Sequence, residues 1–328
     1  MTPYRQILKN AWLTIRSRRG LWFFGFLATF WGVGGVYEII LNGLRLSTGR
    51  DFFLVKLWQS IAVTGISGAD LKAAFFVRPL TGLTLIMMLL IIALIVLFFY
   101  WLFTTSQITV LRACAKGPGR DSALAGFAES QKYFWPVFVL NLGGKILIFF
   151  IFFLLSYGAL AAVLNGGVTI LGFSFYLVTF IVSLLLVLTI SFLVLLSNIY
   201  LTVKDYRLKD AVAAAWRLLF ANWLILLEVA AGLFALTILI TIALFLVVLM
   251  LMAPLYVLSY ASIVLQSPWL YYLSYLAVII IIFLLALVVT AGLTTFQLAV
   301  WVGVFGNLEK NQLESKLHRL TADKLNNT

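Results

Sequence analysis

This chain is constrained above all by apolar tracts too long and too free of charge to be anything but membrane helices. No Asp, Glu, Lys or Arg occurs from Leu80 to Leu111, and Val168 to Thr202 is equally bare. A helix rises about 1.5 Å per residue, so about 20 apolar residues cross a hydrocarbon core about 30 Å thick. Similar tracts run over Leu21–Leu41, from Trp135 to about Leu164, from Trp223 to just before Pro254, and from Trp269 to about Phe305. Lipid offers no hydrogen-bond partner to an open backbone, so each tract must be a helix. The expectation is an all-α, polytopic membrane protein with six transmembrane helices. Of the 328 residues 64% are hydrophobic and 10% charged, whereas a soluble domain carries roughly a quarter charged residues. The first tract is too long for the apolar core of a cleavable signal and lacks a small-residue cleavage pattern, so it reads as a retained span.

The connecting segments repeat. Thr2–Pro3 is a helix start, and Tyr4, Ile7, Leu8, Ala11, Trp12 and Ile15 recur at helical spacing, with Arg5, Lys9 and Arg16 largely off that face. Asp121–Ser122 is a cap ahead of Leu124, Phe127 and Ala128, and Leu208, Val212, Ala215, Trp216 and Leu219 share one face. Each of these amphipathic helices precedes an odd-numbered span. Trp12, Trp22, Trp135, Trp216, Trp223 and Trp269 suit the boundary between lipid and water. The second span carries Thr104–Thr105–Ser106–Gln107, the fourth Leu196–Ser197–Asn198, and the sixth Thr294–Thr295–Phe296–Gln297. The reading is three pseudo-repeats of about 90 to 110 residues, each a surface helix plus a helical hairpin. Their bounds are about 1–111, 112–203 and 204–306. Together they form one membrane domain, 1–306, followed by a polar tail, 307–328.

Counting charges orients the chain. With the N-terminus inside, the inner segments hold Arg5, Lys9, Arg16, Arg18 and Arg19, then Arg112, Lys116, Arg120 and Lys132, and later Lys204, Arg207, Lys209 and Arg217. The outer connections after spans three and five hold no Lys or Arg; the long first one, 42–79, holds several but constrains topology less. Both termini are expected in the cytoplasm. The net charge of +12 flanks apolar helices, so it points to anionic lipid headgroups and not to nucleic acid. A protein partner or a homo-oligomer is left open.

Polar residues inside the spans are the candidate site. Gln107, Asn198 and Gln297 would form a ring of amides at one depth under the threefold repeat, lining a cytoplasm-facing vestibule or bonding helices together. Lys145 and Glu228 are costly charges within odd spans, and Asn141 lies four residues before Lys145 on the same helical face. They either pair with each other, or Lys145 snorkels while Glu228 takes a neighbouring hydroxyl. Glu38 lies near the outer end of span one. The one cysteine, Cys114, excludes an internal disulfide framework, and the one histidine, His318, lies in the tail. No catalytic, cofactor-binding or metal-ligating set emerges, so no enzyme and no cofactor are expected.

At Leu208 to Trp223, where Ala215–Trp216 precedes Ala221–Asn222–Trp223, the chain resembles a broad family of poorly characterised bacterial six-span membrane proteins. That family includes the membrane domain fused to some glycerophosphodiester phosphodiesterases. The resemblance covers most of Met1 to Phe305 in layout; the phosphodiesterase domain is absent, so its activity is not implied. It implies an inner-membrane protein with a role in the envelope. Mitochondrial carriers also have three two-span units, but their surface helix lies between the two spans, and here it precedes them. Two functions follow as expectations: a non-enzymatic protein organising membrane or envelope through lipid or partner contacts, or a transporter or channel for a small or lipid-like solute. Charge exchange tests the pair. If Lys145 and Glu228 bond, the double variant Lys145→Glu with Glu228→Lys recovers abundance and stability that each single variant loses; a double variant no better than the singles removes the pair.

Overall fold

A computed structural model describes residues 3–18, 20–29, 79–117, 123–164 and 170–310. Every regular element among them is helical. The helices are α1 (Pro3–Ser17), α2 (Gly20–Thr29), α3 (Pro79–Ala115), α4 (Ala123–Ser130), α5 (Phe134–Leu164), α6 (Ile170–Val203), α7 (Leu208–Ala221), α8 (Trp223–Val264) and α9 (Pro268–Glu309), with a 3₁₀ turn, Gln131–Tyr133, leading into α5. Residues 30–41 of the first apolar tract with Glu38, the connection 42–78, the Asp121–Ser122 cap, the turn at Asn165, and the tail from residue 311 with His318 lie outside the described residues.

Five stretches are long and apolar enough to cross a membrane: Ile86–Ala115, Gly126–Leu155, Tyr176–Val203, Trp223–Ser262 and Tyr271–Glu309. The protein is a multi-pass membrane protein. Its large apolar side chains agree, since Leu239, Met250, Phe283 and many others along the spans are exposed, as only a lipid-facing surface tolerates. One boundary differs from expectation. The fifth span does not end before Pro254; α8 continues through it to Val264. Proline removes one backbone hydrogen bond, whereas ending the helix within lipid would strand several backbone groups, so continuing is the cheaper solution.

The chain divides into two compact units, Met1–Gly34 with Phe103–Thr328, and Gly35–Leu102. The described part of the second is the first portion of α3, whose side chains from Ile86 to Phe99 are exposed. In the first unit α5 packs on α6 and α8 on α9, as hairpins joined by short connections. Helix α2 packs along α9, α1 also rests on α9, and α7 rests on α6. The short helices bury one stripe each: Ile7, Ala11 and Ile15 on α1, and Ala211, Ala215 and Leu219 on α7. That four-residue spacing keeps the stripe on one side of a helix with 3.6 residues per turn.

Burial is concentrated in one half of each span. In α3 it covers Thr104 to Leu111, in α6 Leu195 to Thr202, and in α9 Leu298 to Val302 with Val304, Phe305 and Leu308. These are the halves next to the charged connections. There the strap between α6 and α7 joins several elements: Lys204 pairs with Glu309 at 2.7 Å, Asp205 accepts a hydrogen bond from the Tyr133 hydroxyl, and Tyr206 stacks on Tyr200. Asp205 has a φ of 56°, a left-handed conformation that Asp tolerates better than most residues.

Close approach depends on small residues. A Cβ on Gly25 of α2 would collide with the Thr295 hydroxyl and lie 2.9 Å from the Ala291 carbonyl of α9. One turn on, the Thr29 and Thr294 hydroxyls bond at 2.8 Å. Gly25→Ala is therefore expected to destabilise the protein by about 1–3 kcal/mol, the range for overpacking a tight contact. Gly143→Ala, where an added Cβ meets nothing within 4 Å, should not. Thermal unfolding of both variants in detergent checks this; equal midpoints would show that α2 and α9 can part freely.

Candidate functional site: a buried amide chain

The interior polar site is a chain of three amides on three helices. Asn141 of α5 donates from Nδ2 to Oε1 of Gln107 on α3 at 3.0 Å, and accepts at Oδ1 from Nδ2 of Asn198 on α6 at 2.7 Å. All three are buried, with exposures of 3% for Gln107, 5% for Asn141 and 1% for Asn198. The local sequence makes the approach feasible. Gly144, one turn beyond Asn141, lies so close to α6 that an added Cβ would be 2.6 Å from the Val194 side chain. Ile108 and Ile199, each following its amide, are fully buried and exclude water from the bonds.

The chain is not fully satisfied. Asn198 Oδ1, Ser197 Oγ and Thr104 Oγ1 are buried without a hydrogen-bond partner among the described residues. Unpaired buried oxygens of this kind are costly and unusual, and they can accept a water or a small polar solute. All the groups in the chain are uncharged, so the site can bind by hydrogen bonding but holds no strong acid or base.

The three amides do not all share one hydrogen-bonded chain. Gln107 and Asn198 are brought together, through Asn141, but Gln297 bonds elsewhere: its Nε2 donates to Thr237 Oγ1 of α8 at 2.9 Å, and the Thr237 hydroxyl donates to the Leu233 carbonyl. Helix α9 packs on α2, α1 and α8 and touches α6 only slightly, so its amide reaches the nearer helix. Asn141 and Lys145 differ in burial: Asn141 is buried and Lys145 exposed. Positions four apart differ by about 40° around a helix, and the close contact at Gly144 puts Asn141 inside and Lys145 beyond the edge of the buried stripe.

Glu228 accepts a hydrogen bond from the Tyr4 hydroxyl of α1 at 3.0 Å, which is the neighbouring-hydroxyl alternative. The helices bearing Lys145 and Glu228 have different main neighbours, α5 lying on α6 and α8 on α9. Among the tryptophans, Trp12, Trp135, Trp216, Trp223 and Trp269 are exposed. Trp22 is half-buried and donates from Nε1 to the Ile15 carbonyl, fixing α2 to α1.

Sequence reasoning missed Tyr4 and Thr237 as partners. Tyr4 counted only as part of an apolar stripe, although its hydroxyl needs a polar neighbour once covered. Compared with protein families, curated proteins and solved structures, the chain matches none.

The two kinds of amide contact should differ in weight. Asn141→Leu strands a buried acceptor on Gln107 and a donor on Asn198, so it should cost about 1–3 kcal/mol. Gln297→Leu removes one bond and should cost nearer 0.6 kcal/mol, the average for interhelical bonds in membranes. Unfolding titrations in mixed detergent micelles would rank them; the opposite order would remove the amide chain as the interior's polar clamp.

Proposed function

We propose that this chain is a non-enzymatic integral protein of a bacterial inner membrane that supports membrane or envelope organisation through contacts with lipid or a protein partner. The reading rests on how the polar groups of the spans are spent. Gln107, Asn141 and Asn198 bond one another and Gln297 bonds Thr237, while the outward surface is aliphatic and aromatic. Amide bonds of this kind hold helices together and leave the exposed surface as the part that meets other molecules. The layout resemblance to bacterial six-span proteins points the same way.

The proposed architecture is six spans in three repeats, each an amphipathic surface helix and a hairpin, about a pseudo-threefold axis. Three packings support it. Helix α1 rests on α9 and α7 on α6. Helix α4 meets α3, with Gly126 beside Thr109 and Glu129 paired to Arg112 at 2.6 Å. On this reading each short helix lies on the second span of the preceding repeat, in a cyclic pattern. Ile108, Ile199 and Leu298, which follow the three amides, are all fully buried, as equivalent positions would be. The positive-inside count puts both termini and the three surface helices on the cytoplasmic face.

A second reading, a transporter or channel for a small or lipid-like solute, draws on the three unpartnered oxygens at Thr104, Ser197 and Asn198. Reconstitution into liposomes with a panel of solutes and a lipid-scrambling assay separates the two. The scaffold reading expects rates equal to empty liposomes. Flux or scrambling that Asn141→Leu abolishes would replace it with the transporter.

A further inference from the structure

At the charged ends of the spans, α1 and the ends of α3 and α9 enclose a cleft of about 470 Å³ that the amide chain does not use. Two glycines open it. At one side of it α1 and α9 touch, since a Cβ on Gly303 would lie 3.0 Å from the Ile7 side chain, both of which line the cleft. At Gly306, and at Gly117 beyond the end of α3, an added Cβ meets nothing within 4 Å, and the gap between the elements is the cleft.

Its polar lining is selective in sign. Among the described residues that line it, Lys310 is the one charged residue and none carries a carboxylate. The neighbouring Glu309 is committed to Lys204. Lys310 is exposed, and no carboxylate pairs with it among the described residues. Asn10 and Asn307 present amides beside it; among the described residues only the Asn307 amide is occupied, by the Gly303 carbonyl. Thr14 also lines it, its hydroxyl donating to the Asn10 carbonyl, and Ile7, Leu13 and Val302 give it an apolar wall. One ammonium and an amide donor next to an apolar wall match a molecule with an anionic head and a hydrocarbon stem.

We infer that this cleft binds an anionic phospholipid, its phosphate on Lys310 and Asn10 and its glycerol and upper acyl carbons against Ile7, Leu13 and Val302. The inference rests on the lipid-contact reading above and gives it a site. Basic pockets between spans on the cytoplasmic side are a recurrent way of holding such headgroups.

The test uses the full-length protein in phosphatidylcholine nanodiscs carrying spin-labelled phosphatidylglycerol or spin-labelled phosphatidylcholine. The readout is the motionally restricted fraction of each label. The wild type should prefer phosphatidylglycerol. Lys310→Gln should reduce that preference about fivefold, the equivalent of one lysine near an anionic surface. Gly306→Leu fills the cleft without changing any charge and should abolish the preference. Asn10→Leu, on an exposed position of α1, should weaken it and serves if Gly306→Leu does not fold. A preference unchanged in Gly306→Leu and Asn10→Leu would overturn the site, because diffuse charge would then explain it. Displacement of the label by millimolar inorganic phosphate would overturn the lipid assignment in favour of a free anion. These outcomes are independent of solute flux, so the cleft and the scaffold reading can fail separately.

Discussion

A helix in lipid gains little by turning apolar side chains toward another helix, because the acyl chains it leaves are just as apolar. Association must come from close contact and from polar bonds that lipid cannot supply. This chain uses both at the same places. Gly25 lets α2 meet α9, with the Thr29–Thr294 bond one turn on. Gly144 lets α5 meet α6, with the Asn141–Asn198 bond one turn before. The small residue sets the distance, and the polar pair fixes the register.

This pairing accounts for where the interior lies. Buried residues cluster in the halves of α3, α6 and α9 next to the charged connections, and the amides and their hydroxyl neighbours occupy the same halves. The short helices complete that end. Helix α7 buries Ala211, Ala215 and Leu219, and the strap before it is pinned at Lys204, Asp205 and Tyr206. The far halves of α5, α6, α8 and α9 carry aliphatic and aromatic side chains that stay exposed. A protein built this way has its specific chemistry near one face of the membrane, where both the amide chain and the Lys310 cleft are found.

Much of the fold was legible because the bilayer leaves few alternatives. The tracts ending near Leu111 and Val203 had to be helices, and Pro3 and Pro268 sit at helix starts as their missing N–H groups allow. Pro254 misled, since its local preference for ending a helix was outweighed by the cost of open backbone in lipid. The candidate site was legible as a list of residues and not as a geometry. Gln107, Asn141 and Asn198 stand out because amides are rare in such tracts, and three of the expected polar residues do form one chain. That Gln297 joins Thr237 instead, and that Tyr4 reaches Glu228, follow from which helices are neighbours.

By itself, then, the sequence determined the solvent of this protein, the helical state and approximate ends of its spans, and the residues whose polarity would need partners. These are local properties, set by hydropathy, backbone chemistry and spacing. Only the tertiary structure decided which partner each polar group takes, that Asn141 turns inward while Lys145 turns out, and that Gly306 leaves a cleft where Gly303 makes a contact. A shift of about 1.5 Å along a helix or of about 100° around it changes every such pairing, and hydropathy is indifferent to both.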